Sequence, residues 1–189
     1  MQTVLGATRS LIFCGIAGAT LFGINFIPAH VLSAAGGGSP LAAIFGAVTA
    51  PVFFALGALI TKRFGAVAVL YVTYATLAIP FLVMGPPHPY KPLIALCAGL
   101  AYDIGMLIGG RSRLRGLLLG FTGFTAVSLF LYLQAFRILD LPGREMLEEW
   151  VFYFAAVFLL IGYGMTWISS QIYRKLEQSP AVRHIQSEQ

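Results

Sequence analysis

Residues 91–115, KPLIALCAGLAYDIGMLIGGRSRLR, constrain the fold more than any other stretch. They form an apolar run of membrane-spanning length that closes on three arginines, Arg111, Arg113 and Arg115. A helix of about twenty apolar residues matches a hydrocarbon layer near 30 Å. A basic cluster at one end of such a run marks the cytoplasmic face. Comparable runs recur along the whole chain and leave no room for a separate soluble domain. Only 10% of the residues are charged and 58% are hydrophobic. A soluble domain would be about one quarter charged.

The apolar runs predict an all-α polytopic fold of six transmembrane helices, near 11–30, 41–61, 66–84, 92–110, 116–136 and 150–172. Residues 1–175 then form the transmembrane domain and 176–189 a short polar cytoplasmic tail, frayed or disordered after Pro180. Arg9 followed by a long run reads as a retained first span, not a cleaved targeting segment. With Arg9 inside, nine basic residues fall on the cytoplasmic side and Lys91, Arg137 and Arg144 outside. This alternation predicts that both termini are cytoplasmic and that the protein is a multi-pass cell-membrane protein. The net charge of +5 sits in short groups between spans, as topology determinants do, and no nucleic-acid partner is expected.

Local features refine the prediction. Gly15, Ala19 and Gly23 recur every four residues and form a small-residue stripe, a candidate docking face for a partner helix. Pro28 is expected to bend or end the first helix. The loop 31–40, VLSAAGGGSP, is uncharged, and Gly36, Gly37 and Gly38 are a candidate gate. No lysine follows it, so it is not a phosphate-binding loop. The short KRFG turn predicts that the second and third spans are antiparallel neighbours. Tyr71 and Tyr74 lie one turn apart. Asp103 is the one acidic residue inside a long apolar run. A carboxylate facing lipid is costly, so Asp103 is expected to face protein or water. It could pair structurally with Arg111, Arg113, Arg115 or a tyrosine, couple ions, or contact a partner.

The six-span arrangement places Asn25, Pro80, Phe81, Lys91, Tyr132, Gln134, Arg137, Trp150 and Tyr153 in the outer third. Of these, Asn25, Tyr132, Gln134, Arg137, Trp150 and Tyr153, with the nearby Phe26, are the candidate substrate-binding residues. Stacking on Phe26, Tyr132 or Trp150, with hydrogen bonds from Asn25 and Gln134, suits a small aromatic or heterocyclic ligand better than a polyanion. Trp150 and Trp167 also sit where interfacial anchors sit. The sequence holds no H-E-x-x-H or G-x-S-x-G signature, and Ser10 and Ser128 have no histidine nearby in sequence to act as a base. Cys14 and Cys97 lie in different predicted spans. No catalytic site, metal site or cofactor is expected.

In its length, its six predicted spans, the stripe in span 1, the loop VLSAAGGGSP, the small-rich span LAAIFGAVTAPVFFALGALIT and the basic exit GGRSRLRG, the chain resembles the substrate-binding S component of an energy-coupling factor transporter. The resemblance covers roughly residues 10–175. It implies capture of a vitamin or related micronutrient by a chain without an ATPase. It further implies docking on a transmembrane coupling subunit paired with two cytoplasmic ATPases, and toppling to carry substrate across. The family's alanine-spaced docking face would fall on Gly15, Ala19 and Gly23, with glycine at two of the three positions. Two other readings are a stand-alone small-solute transporter or channel, and a structural or assembly subunit of a membrane complex.

Overall fold

The computed structural model describes residues 2–34, 38–81, 88–110, 114–141 and 144–186. These residues form seven helices: α1 (Gln2–Ala34), α2 (Gly38–Thr61), α3 (Ala66–Leu77), α4 (Tyr90–Gly109), α5 (Leu114–Ile138), α6 (Arg144–Leu176) and α7 (Pro180–Gln186). Six of them close a ring in the order α1, α3, α4, α5, α6, α2 and back to α1.

The expectation of six spans is corrected. Four helical stretches are long and apolar enough to cross a membrane: Thr8–Val31, Tyr90–Gly109, Leu114–Ile138 and Arg144–Leu176. The apolar stretches Phe45–Thr61 and Ala66–Leu77 are shorter. At 1.5 Å per residue, the twelve residues of α3 rise only about 18 Å, well under a hydrocarbon core of about 30 Å. The expected third span, 66–84, stops early because Ala78, Ile79 and Pro80 turn out of the helix. Proline has no amide hydrogen to continue a ladder, and it disfavours helical geometry in the residue before it. With α2 and α3 no longer counted, the six-span charge alternation lapses, and with it the assignment of both termini to the cytoplasmic side. What stands is an all-helical, multi-pass membrane protein.

Pro28 does not end α1, which continues to Ala34, and Pro51 lies inside α2. Membrane helices tolerate such interruptions because neighbouring groups satisfy the freed carbonyl. The short turn does not make α2 and α3 neighbours along their length: they touch only slightly, and α1 packs extensively on both. Gly18 explains this, since a Cβ there would collide with the Leu70 carbonyl and sit 2.9 Å from Thr73 Cβ. Its absence lets the backbones of α1 and α3 meet.

Glycine also sets the tightest pair, α4 with α5. A Cβ on Gly105 would lie 2.6 Å from Gly120 Cα, and one on Gly109 2.5 Å from Gly116 Cα. Both helices thus present glycines four residues apart, the spacing that lets helix backbones close in lipid. On α6 the buried stripe is Gly162, Thr166, Ser169, Ser170 and Tyr173, while Phe152 and Leu160 face outward, 83% and 76% exposed. Lipid accepts apolar side chains as readily as the protein interior does, so small and polar residues turn inward.

The tail is not frayed within the described residues. It folds into α7, buries Val182, and sends Gln186 Nε2 to the carbonyls of Leu59 (3.4 Å) and Ile60 (3.3 Å) and to Tyr173 Oη (2.9 Å). Those carbonyls belong to the last turn of α2, which has no intrahelical donors for them. Gln186→Ala is therefore expected to cost about 1–2 kcal/mol and lower Tm by about 2–8 °C in mild detergent. An unchanged melting curve would show that the tail does not cap α2.

Candidate functional site

Between the helices lies a half-open pocket of about 290 Å³. Its wall draws Leu21 and Asn25 from α1, Gly46 and Ala50 from α2, Tyr71 and Tyr74 from α3, and Phe158 from α6. α5 contributes Phe124, Thr125, Ser128, Leu129 and Tyr132. Gly46 and Ala50 are one turn apart on α2, and their small size opens the space. A Cβ on Gly46 would come 3.8 Å from Asn25 Oδ1.

The wall is rich in aromatic rings. Tyr71 and Tyr74 are stacked, with centroids 5.7 Å apart and planes 17° apart, as residues one helical turn apart on α3 allow. Phe124 meets Tyr71 edge-on at 5.1 Å. Behind them Phe54, fully buried, makes edge contacts with Tyr71, Tyr102 and Phe124. Tyr71 on α3 and Tyr132 on α5 both line the pocket.

The polar groups are held differently from one another. Asn25 is buried and donates from Nδ2 to the Leu21 carbonyl at 2.9 Å. Thr49 Oγ1 lies 3.0 Å from both Asn25 Oδ1 and the Phe45 carbonyl, so one hydroxyl proton serves two acceptors. Thr125 turns its hydroxyl back to the Phe121 carbonyl at 2.9 Å. Ser128 does not: among the described residues its buried Oγ has no partner.

Of the seven candidate binding residues, the fold brings Asn25 and Tyr132 into this cavity. Phe26 stands apart, in an aromatic cluster with Phe22, His30 and Phe81. Gln134 is half-buried on α5 and outside the lining. Arg137 is engaged by Glu148 at 2.8 Å, and Glu148 also takes Arg144 at 3.0 Å, at the connection between α5 and α6. Trp150 and Tyr153 pair with each other at 5.4 Å on the exposed face of α6. Among the gate residues, Gly36 and Gly37 lie outside the described residues, and Gly38 opens α2. In the docking stripe, Gly15 and Gly23 have open space where a Cβ would be, and Ala19 is exposed.

Asp103 is 3% exposed and accepts a long hydrogen bond, 3.4 Å, from the Ala68 amide in the first turn of α3. Of its three suggested arginine partners, Arg111 and Arg113 lie outside the described residues. Gly99, one turn earlier on α4, makes the approach possible, since a Cβ there would lie 2.8 Å from the Ala68 amide nitrogen. At the other end of α3, Lys91 is also 3% exposed and donates from Nζ to the Ala78 carbonyl at 2.9 Å. A helix carries partial positive charge at its N-terminus and partial negative charge at its C-terminus. α4 thus sets a carboxylate against the first and an ammonium against the second. The twelve-residue spacing of Lys91 and Asp103 equals the length of α3.

Sequence reading missed Gly46, Ala50, Phe124, Thr125 and Phe158 as lining residues, and it noted Tyr71 and Tyr74 only for their spacing. One signal was available: a hydroxyl or small residue within a span, one turn from an aromatic, on several helices at the same depth. Among the described residues no three His, Cys, Asp or Glu side chains gather as a metal site. No family model matches the chain, and neither a curated protein nor a solved structure matches it. Together the fold and this site show a multi-pass helical membrane protein with a half-open pocket between its helices, consistent in general with a transport protein.

Proposed function

We propose that this chain is the membrane-embedded substrate-capture component of an ATP-driven importer of a small micronutrient, vitamin-sized or smaller, with no ATPase of its own. The observation that carries the reading is the half-open pocket of about 290 Å³ between the helices, whose lining mixes the rings of Tyr71, Tyr74, Phe124, Tyr132 and Phe158 with the polar residues Asn25, Thr125 and Ser128. Small-molecule sites combine an apolar wall with a few placed polar groups in this way, and their volumes begin near 300 Å³. The resemblance to energy-coupling factor S components supplies the rest: a transmembrane coupling subunit and two cytoplasmic ATPases as partners. The open small-residue face of α1, with Gly15, Ala19 and Gly23, is the surface offered to the coupling subunit.

Native mass spectrometry of the chain released from its own membrane in mild detergent tests both halves. The expected spectrum shows a retained small molecule and a larger assembly containing ATPase subunits. A chain that runs free of any ATPase, and alone drives gradient-dependent uptake in liposomes, would be a self-sufficient transporter and end this reading.

A further inference from the structure

We propose that residues 144–161 of α6 are a gate to the pocket: they swing away from the bundle about Gly162 and Gly164, and the Arg137–Glu148 ion pair latches them shut. This rests on the reading of the pocket as a capture site and adds how a solute is admitted.

α6 changes character at Gly162. From there on its inward face is buried, through Gly162, Thr166, Ser169, Ser170 and Tyr173. Before Gly162 no residue of the helix is buried, and the same face continues only half-buried through Phe158, Ala155, Val151 and Glu148. Contact with lipid on one side does not account for this, because the inward side is uncovered too. α5 matches it: past Ser128 it has no buried residue up to its end at Ile138. The second half of α6 is fixed at both ends. Tyr163 Oη lies 2.6 Å from Thr122 Oγ1 of α5, and Tyr173 Oη accepts from Gln186 at 2.9 Å. Among the described residues, the first half is tied to α5 by two contacts. Phe158 stacks on Phe121, with centroids 5.4 Å and planes 20° apart, and Glu148 meets Arg137 at 2.8 Å. The side chains of that ion pair are 30% and 45% exposed. A pair so open to solvent contributes little and breaks readily. Few buried contacts and exposed polar ties mark the part of a fold that opens first.

The two glycines sit at this junction, on opposite faces of the helix. Gly162 is buried against Phe121, whose ring a Cβ would strike, so the ring rests on the helix backbone as a pivot. Gly164 is exposed and has nothing within 4 Å of where its Cβ would be. Glycine is the weakest helix former after proline, and helices bend at such positions. Carrying the first half away from the bundle makes the exposed face concave, and Gly164 has no Cβ to be compressed there. Phe158, one turn before the pivot, is the residue that α6 gives to the pocket wall. The swing therefore withdraws Phe158 and widens the opening, and the return stacks it again on Phe121.

The test uses the full chain in lipid nanodiscs, with Cys14→Ala and Cys97→Ala to remove the native thiols. Ala50→Cys places one thiol in the pocket wall, and methyl methanethiosulfonate, small and uncharged, reports access to it. Intact-mass kinetics are expected to show modification about three- to fivefold faster in Arg137→Gln and about fivefold slower in Gly164→Ala. Arg174→Gln, the same charge loss on the packed half of α6, is the control and should leave the rate unchanged. Motion is read separately by spin-label distances from Leu93→Cys on α4, which is 62% exposed. The pair with Phe152→Cys is expected to give a broad distribution that narrows in Gly164→Ala, and the pair with Ile172→Cys a narrow one throughout. The gate is overturned if the Phe152→Cys pair is as narrow as the Ile172→Cys pair, or if neither Arg137→Gln nor Gly164→Ala changes the modification rate. Either failure leaves the capture reading intact, since a half-open pocket can fill without a moving wall. A gate that moves as expected in a chain whose native mass spectrum holds no small molecule sinks the capture reading alone.

Discussion

Gly105→Val is expected to remove about 3 kcal/mol of stability or more, seen as loss of a monodisperse peak in mild detergent and a collapsed thermal transition. The reason is what surrounds the missing Cβ. It would lie 2.6 Å from Gly120 Cα, 2.6 Å from Gly120 N and 2.6 Å from Leu119 C. All three are backbone atoms of α5, so no side chain can swing aside. The whole helix must move, and it carries more of the cavity wall than any other helix does. Gly15→Ala and Gly23→Ala are the matched comparison. Each has nothing within 4 Å of the new Cβ, and alanine is the better helix former by about 1 kcal/mol. These variants should melt no lower than the parent. On the proposed role of α1 as a docking face, Gly15→Val and Gly23→Val should reduce co-purification of the ATPase-bearing partners without altering the isolated chain. If Gly105→Val behaves like Gly15→Ala, the close approach of α4 and α5 is wrong.

The second large effect is expected at the two ends of α3. Lys91→Met removes the donor to the Ala78 carbonyl, and Asp103→Leu removes the acceptor for the Ala68 amide. Each leaves a backbone group unsatisfied where water is scarce, at a cost of about 1–3 kcal/mol. The helix-end charge adds up to about 2 kcal/mol in partly buried geometry. Hydrogen–deuterium exchange should localise the loss: α3 amides lose protection in both variants, while those of α5 keep theirs. Asp103→Asn retains an oxygen acceptor and should recover part of the protection. Equal loss across all helices would mean that these two charges support the bundle generally rather than α3. The prediction matters for the site because α3 carries Tyr71 and Tyr74, and a loosened α3 unstacks the aromatic wall.

Asp103 shows how far one sequence reaches. A lone carboxylate in an apolar run had to face something other than lipid, and it is buried against the start of α3. That its counterpart is Lys91, twelve residues earlier on the same helix, was not read, although the pairing of two charges with the ends of a short helix depends on spacing alone. The length of α3 was legible too: Pro80 stands three residues beyond its end, and the expected span 66–84 ran through it. Asn25 and Tyr132 line the cavity, whereas Trp150, Tyr153 and Arg137 lie outside its lining.

By itself the sequence determined that the chain is helical and membrane-embedded, roughly where its helices lie, and that small residues mark close approaches. Run length, charge grouping and glycine spacing are properties of one strand of text, and lipid thickness converts them directly into structure. Tertiary structure alone decided the ring order, in which α1 packs extensively on both α2 and α3, and the rotation of each helix about its axis. In water an apolar stripe announces the buried face of a helix. In lipid both faces are apolar, so that signal vanishes. Which hydroxyls and rings meet in the cavity is then settled by backbone contacts at Gly18, Gly99, Gly105 and Gly109, between residues far apart in the chain.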